Sequence, residues 1–165
     1  MRRLIVVAAA LVVLAGINYT IFQREALLEQ GRIVMLELAP VDPRSLMQGD
    51  YMALRFKVEN DAFPRGSFAG IADGKLVLAL DERGVASFRK MASGAPPAAD
   101  EALIRYRIRN DRPKFATDAF FFQEGRGGDY QSARYGEFRV SRDGEAILVS
   151  LRDDKLKVLG SGSRN

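Results

Sequence analysis

Leu4 to Phe22 is apolar except for Asn18, Tyr19 and Thr20 near its far end. As a helix it is about 28 Å long, enough to cross the hydrocarbon core of a bilayer. A buried core helix is disfavoured by the twin arginines before the run and by its lack of a polar face. Arg2 and Arg3 precede the run, and the positive-inside rule then puts the N-terminus in the cytoplasm. Tyr19 and Phe22 fall near the outer interface, where aromatic side chains are favoured. The competing reading is a cleaved signal peptide, with Val13-Leu14-Ala15 offering compact residues before a cut after Ala15. The apolar run continues past that point through Ile17, Ile21 and Phe22, and the helical pattern through Ala26, Leu27 and Leu28, which favours a retained anchor. A lipoprotein is excluded, because Ile17 and not cysteine follows Leu14-Ala15-Gly16.

The expected organisation is a transmembrane anchor over 1–23, a juxtamembrane helical linker over 24–30 closed by Gly31, a β-rich domain over 31–160 and a disordered tail over 161–165. The domain is expected on the periplasmic, or otherwise extracytoplasmic, side of the inner membrane. Without Arg2 and Arg3, the 25 basic side chains fall to 23 against 21 acidic ones. The folded part is then close to neutral, and its basic pI is no argument for nucleic-acid binding.

Composition removes several chemistries. There is no histidine and no cysteine, so the commonest general base, the thiolate nucleophile and the usual zinc ligands are all missing. Gly125-Arg126-Gly127-Gly128 lacks the lysine and Ser/Thr of a phosphate-binding loop and reads as a mobile turn. No EF-hand-type loop is present. No cofactor and no metal are expected.

Beyond Gly31 the pattern is that of strands. Ile33 to Leu38 is a first strand stopped by Pro40. Tyr51 to Val58 alternates, with Leu54, Phe56 and Val58 on one face. Asp73-Gly74 leads into Lys75–Leu80, and Glu82-Arg83-Gly84 forms a short loop before Val85–Met91. Ala92 to Glu101 reads as a flexible loop. Ala102 to Arg109 alternates again, with Ile104, Tyr106 and Ile108 inward and Arg105, Arg107 and Arg109 outward. Phe120-Phe121-Phe122 suits a strand covered on both faces. Glu137–Arg142 and Glu145–Arg152 around Asp143-Gly144 form the strongest hairpin, and Lys155–Leu159 adds a short strand. The fold class predicted is mainly β: an antiparallel sheet, barrel-like or sandwich-like, with one short helix, plus the N-terminal transmembrane helix.

The candidate site is the run from Val41 to Phe56. Asp42-Pro43 favours a turn, Ser45-Leu46-Met47 suits one helical turn, and Gly49 can take positive φ to end it. Asp50 can cap or pair with Arg44. Structurally this is a corner whose polar groups satisfy one another. Functionally, Asp42, Arg44, Gly49, Asp50 and Tyr51 are the candidate partner contacts. Gly49, Asp50, Tyr51 and Leu54 stand at the spacing G-D-Y-x-x-L-x-Y, with Phe56 in the last position. Together with Val41-Asp42-Pro43-Arg44 and Phe121-Phe122-Gln123-Glu124-Gly125, they make the chain resemble the GDYXXLXY family. The resemblance implies a membrane-anchored bacterial envelope protein of a kind often encoded beside a multi-pass membrane protein, which is the partner expected. It brings no catalytic residues.

Gly128-Asp129-Tyr130 echoes Gly49-Asp50-Tyr51, but Asp129 is placed to N-cap a short helix through Arg134, so the echo is read as coincidence. Arg105, Arg107 and Arg109, with Arg112 and Lys114, form a basic stripe. It is read as a solvated sheet face flanked by Glu101 and Asp111, the alternatives being a contact with anionic lipid headgroups or with a nucleic-acid backbone. Three functions follow. The first is a non-catalytic accessory that binds or braces a membrane partner. The second is a hydrolase working from Ser45 with a lysine, or from a carboxylate pair such as Asp42 and Asp50. The third is a lipid- or polysaccharide-binding module with a groove along Phe120–Phe122.

Overall fold

A computed structural model describes residues 2–39, 47–48, 51–64, 71–110 and 112–160. The apolar run is the body of helix α1 (Arg2–Gln30), which continues without a break into the segment expected as a linker. Among its described residues Leu27 alone is buried, while Ile5, Val12, Ile17 and Phe22 stand exposed. It is long and apolar enough to cross a membrane, which makes it a candidate anchor.

Gly31 separates α1 from β1 (Arg32–Glu37). The remaining elements are β2 (Met47–Gln48), β3 (Tyr51–Ala53), helix α2 (Lys57–Ala62), β4 (Gly74–Leu80), β5 (Val85–Met91), β6 (Glu101–Arg109), β7 (Arg112–Phe115), β8 (Ala119–Phe121), a 3-10 turn (Gly127–Tyr130), β9 (Tyr135–Val140) and β10 (Ala146–Arg152). Seven strands form one sheet in the order β10-β9-β1-β5-β4-β6-β7, and β2-β3-β8 form a second. The fold is mostly β, with the larger sheet curled into a nearly closed barrel. Its pairs are antiparallel except β1 with β5, where Met35 stands beside Val85. The curl brings the β9–β10 turn onto β6: the Arg105 N–H donates to the Gly144 carbonyl at 2.8 Å. Gly144 takes φ +87° there, as the Asp-Gly turn requires.

Inside lie Val34, Leu36, Leu76, Leu78, Ile104, Phe115, Phe138 and Leu151, all with almost no exposure. Each such side chain contributes about 1.5–3 kcal/mol by leaving water. The alternation expected on Ala102–Arg109 holds for Ile104 and Tyr106, which are buried, while Ile108 is half-buried.

Four expectations are corrected. The strand expected over 51–58 stops at Ala53. Phe56 remains extended and bridges Leu38, and the chain then turns into α2. Glu59-Asn60-Asp61 are poor strand formers, whereas Val58 and Ala62, one helical turn apart, both meet the core. Met47, placed in a helical turn with Ser45 and Leu46, is in a strand instead, since Met47 and Gln48 pair with Met52 and Tyr51 across an antiparallel ladder; Ser45 and Leu46 lie outside the described residues. Asp129 is not an N-cap: it lies inside the 3-10 turn, with Arg126 at the cap, and accepts from Arg126 Nε at 2.8 Å. Lys155–Leu159 is no strand, since Asp153 Oδ1 folds the segment by accepting the Lys155 and Lys157 N–H groups, leaving one bridge between Arg152 and Val158.

Candidate functional site

Asp42, Arg44, Gly49 and Asp50, with Ser45 of the hydrolase reading, lie outside the described residues. Tyr51 opens β3, where it is the register partner of Phe121 on β8, with ring centroids 5.9 Å apart. The later residues of the same motif are architecture. Leu54 and Phe56 are buried, and the Phe56 ring meets Phe138 edge-on at 5.4 Å. Phenylalanine at 56 therefore stands in an apolar setting, where a tyrosine hydroxyl would need a buried partner.

Phe120 and Phe121 border one shallow groove that Phe122 does not reach, and the segment is not covered on both faces. Phe120 and Phe122 turn inward onto Tyr130, at centroid distances of 5.1 and 5.3 Å. Phe121 points outward and is 75% exposed. The period of two along the strand separates them.

The basic stripe is the most concentrated charge among the described residues, and acidic residues interleave with it differently from the sequence expectation. Arg105 pairs with Glu145, which also lies 4.0 Å from Arg107. Arg109 pairs with Asp73 at 3.5 Å, and Lys114 pairs with Asp118. Glu101 does not serve the stripe. It is buried at the start of β6, accepting from Arg89 at 2.9 Å and from the Ala98 N–H at 2.9 Å. The Ala98 N–H and the Arg89 guanidinium hold its carboxyl below the usual glutamate range. Arg105, Arg107, Arg109 and Lys114 line a cleft of about 450 Å³, whose far wall is Arg24 of α1.

A second buried carboxylate escaped the sequence reading. Glu137 on β9 accepts from Ser150 Oγ at 2.6 Å and from Arg152 at 2.7 and 2.8 Å. Burial pushes its carboxyl up, but the Ser150 and Arg152 hydrogen bonds outweigh that and leave it below the ordinary value. Glu137 alternates with the core residues Gly136 and Phe138, so in sequence it looks solvent-facing. The pairing that covers it depends on a register shift between Leu148 and Ser150, which no local pattern reveals. Among the described residues no three Asp or Glu side chains gather as metal ligands.

The joint between helix and barrel is also built from specific contacts. Arg139 donates to the Gly31 carbonyl at 3.1 Å. Arg32 donates to the carbonyls of Glu101 and Ala99, both at 2.8 Å. The loop before β6, expected to be flexible, is thereby tied to the root of α1.

A nearly closed barrel on an apolar helix, with Tyr51 opening β3 and Leu54 and Phe56 buried, defines a class that a family comparison makes specific. The model of the GDYXXLXY protein family matches residues 13–151, and the chain belongs to that family. No curated protein and no solved structure matches it.

Proposed function

We propose that this chain is a single-pass inner-membrane protein whose barrel, on the periplasmic side, acts non-catalytically by bracing a multi-pass membrane partner. The observation that carries this reading is the joint at Gly31. An exposed apolar helix runs into the interior strand β1 through one residue, and Arg139 and Arg32 tie that residue and its neighbour to β9 and to the start of β6 with the loop before it. A flexible linker would suit a domain that only needs tethering. A clamped joint suits one held at a set height and angle over the bilayer. Anchoring also raises the barrel's effective concentration near any partner in the same membrane. The exposed side of α1 supplies the surface for helix packing, where Ala9-Ala10 and Ala15-Gly16 permit close approach.

Gentle solubilisation of native membranes after crosslinking, followed by recovery of the full chain, tests the partner. One multi-pass protein recovered in near-equal amount is expected, and recovery of the chain alone counts against the reading. Orientation has its own test. The chain has no cysteine, so Ser93→Cys provides a single thiol on the barrel. Labelling of that thiol in intact inner-membrane spheroplasts by an impermeant maleimide is expected.

A further inference from the structure

We propose that the cleft between the end of α1 and strands β6 and β7 binds the phosphate headgroup of an anionic membrane lipid. Its cations come from three elements: Arg24 from α1, Arg105, Arg107 and Arg109 from β6, and Lys114 from β7. The carboxylates in the lining are Asp118 and Glu145. Asp73 engages Arg109 from outside the lining, so an excess of two positive charges remains. Arg24 makes no ion pair among the described residues, and Arg107 has only the 4.0 Å approach to Glu145. The existing pairs are well exposed, a setting in which ion pairs contribute little, so exchanging a carboxylate for a phosphate costs little. Arginine forks suit the oxygens of a phosphate in a way that a lone ammonium does not.

A free phosphate and a lipid headgroup share this chemistry, and position separates them. Arg24 lies two residues, about 3 Å, beyond the end of the apolar run at Phe22. Thr20 and Phe22 line an adjoining groove that shares Arg107 and Glu145 with the cleft. The cleft therefore opens where the apolar helix ends, at the depth of headgroups in the bilayer that helix crosses. Phe121 adds an independent sign. It is 75% exposed and shares a groove with Arg24, Ala116 and Thr117. An aromatic ring held out beside the cationic cleft is suited to the interface of a membrane. The proposal rests on α1 crossing the bilayer, which incorporation of the full chain into lipid nanodiscs tests separately. It does not depend on the multi-pass partner.

The test uses the full chain in nonionic detergent, titrated with dihexanoyl-phosphatidylglycerol, dihexanoyl-phosphatidylcholine or inorganic phosphate, with thermal unfolding as the readout. A saturable rise in Tm with the glycerol lipid is expected, at least tenfold weaker with the choline lipid or phosphate. The double variant Arg107→Gln/Lys114→Gln is expected to lose it, while Arg83→Gln, on the loop before β5, keeps it. Arg107→Gln alone, which breaks no close ion pair, is expected to weaken it and covers the case in which the double variant does not fold. Equal effects of the two lipids, or full binding by a folded Arg107→Gln variant, would overturn the proposal. Equal binding of inorganic phosphate would reassign the cleft to a soluble anion. The chain has no tryptophan, so Phe121→Trp is a single reporter. Quenching by brominated lipid in nanodiscs is expected, and a folded, unquenched variant would place the cleft away from the membrane.

Discussion

A side chain built on Gly136 would begin 3.3 Å from Phe56 Cε1, with Phe138 Cε2 at 3.0 Å and Leu148 Cδ1 at 3.2 Å. The aromatic residue that ends the family motif is thus seated against a glycine near the start of β9. Gly136→Ala must push two rings and a methyl apart inside a closed core, at a cost of about 1–3 kcal/mol. Urea unfolding of the full chain in mild detergent measures it. Phe56→Leu is expected to cost stability alone but to recover part of the Gly136→Ala loss, because it vacates the contested space. Strictly additive losses would show that Phe56 is not what Gly136 accommodates.

The seam of the barrel depends on Gly144 in the same way. Its φ of +87° is unfavourable for any residue with a Cβ, and that Cβ would stand 3.2 Å from the Arg105 nitrogen. Gly144→Ala is expected to cost about 1–2 kcal/mol from the left-handed backbone. It should also loosen the bond from the Arg105 N–H to the Gly144 carbonyl. Hydrogen exchange at the Arg105 amide is the local readout, and it should accelerate more than exchange at Leu78 on the neighbouring strand β4.

Glu137 gives a pH dependence of definite sign. Its carboxyl is held below the ordinary value in the folded chain, so its contribution is present above the unfolded pKa of about 4.3 and is lost as pH falls through the lower folded value. Glu137→Gln should flatten that part of the acid limb. Arg152→Ala leaves a buried carboxylate with Ser150 as its remaining side-chain donor and is expected to cost about 3 kcal/mol at neutral pH. An Arg152→Ala variant as stable as the parent would mean that the pair is dispensable.

Glu59 has the opposite sign. Burial in the first turn of α2 raises its carboxyl, with Arg55, Arg112 and Lys114 partly opposing the shift. The folded state therefore prefers the protonated form. The associated stability is complete below pH about 4.3 and falls as pH rises through the folded value. Glu59→Gln is expected to stabilise the chain slightly at pH 7 and to have little effect at pH 4. A variant less stable at pH 7 would show that the three cations outweigh burial.

Which parts were legible from sequence follows from how local their causes are. The Val85–Met91 strand and the Asp143-Gly144 hairpin were readable, because turn chemistry and alternation act within a few residues. The family motif was readable as a pattern, but the roles of its residues were not. Leu54 and Phe56 look like one face of a longer strand until α2 interrupts it, since Val58 stays inward in either conformation. Strand β7 was missed because Pro113 argues against a strand, and the proline is tolerated at the edge of the sheet. The parallel β1–β5 pair joins residues far apart in the chain, and the cover over Glu137 comes from the next strand through a register shift that alternation does not show. The basic stripe was visible, but its relation to Arg24 was not. That depends on where the barrel sits beside α1, and no single stretch of sequence encodes it.

The joint at Gly31 links stability to the proposed role. A Cβ there would collide with the Leu27 carbonyl oxygen, which is backbone and cannot rotate away, and would meet Arg139 Cβ at 3.0 Å. Gly31→Ala is therefore expected to shift α1 against β9 and to weaken the bond from Arg139 to the Gly31 carbonyl. The loss should be about 1–3 kcal/mol, the range for inserting a group into a filled space. Arg32→Gln removes the two bonds to the Ala99 and Glu101 carbonyls without moving the helix, so it should chiefly raise hydrogen exchange at the Ala98 amide, whose loop is then held by the Glu101 carboxylate and Arg89 without Arg32. If the barrel braces a partner through this joint, Gly31→Ala should reduce partner recovery several-fold while membrane insertion stays intact, and Arg32→Gln should have a smaller effect in the same direction. Undiminished recovery by a folded Gly31→Ala variant would mean that the helix serves as a tether and that the angle of the barrel does not matter.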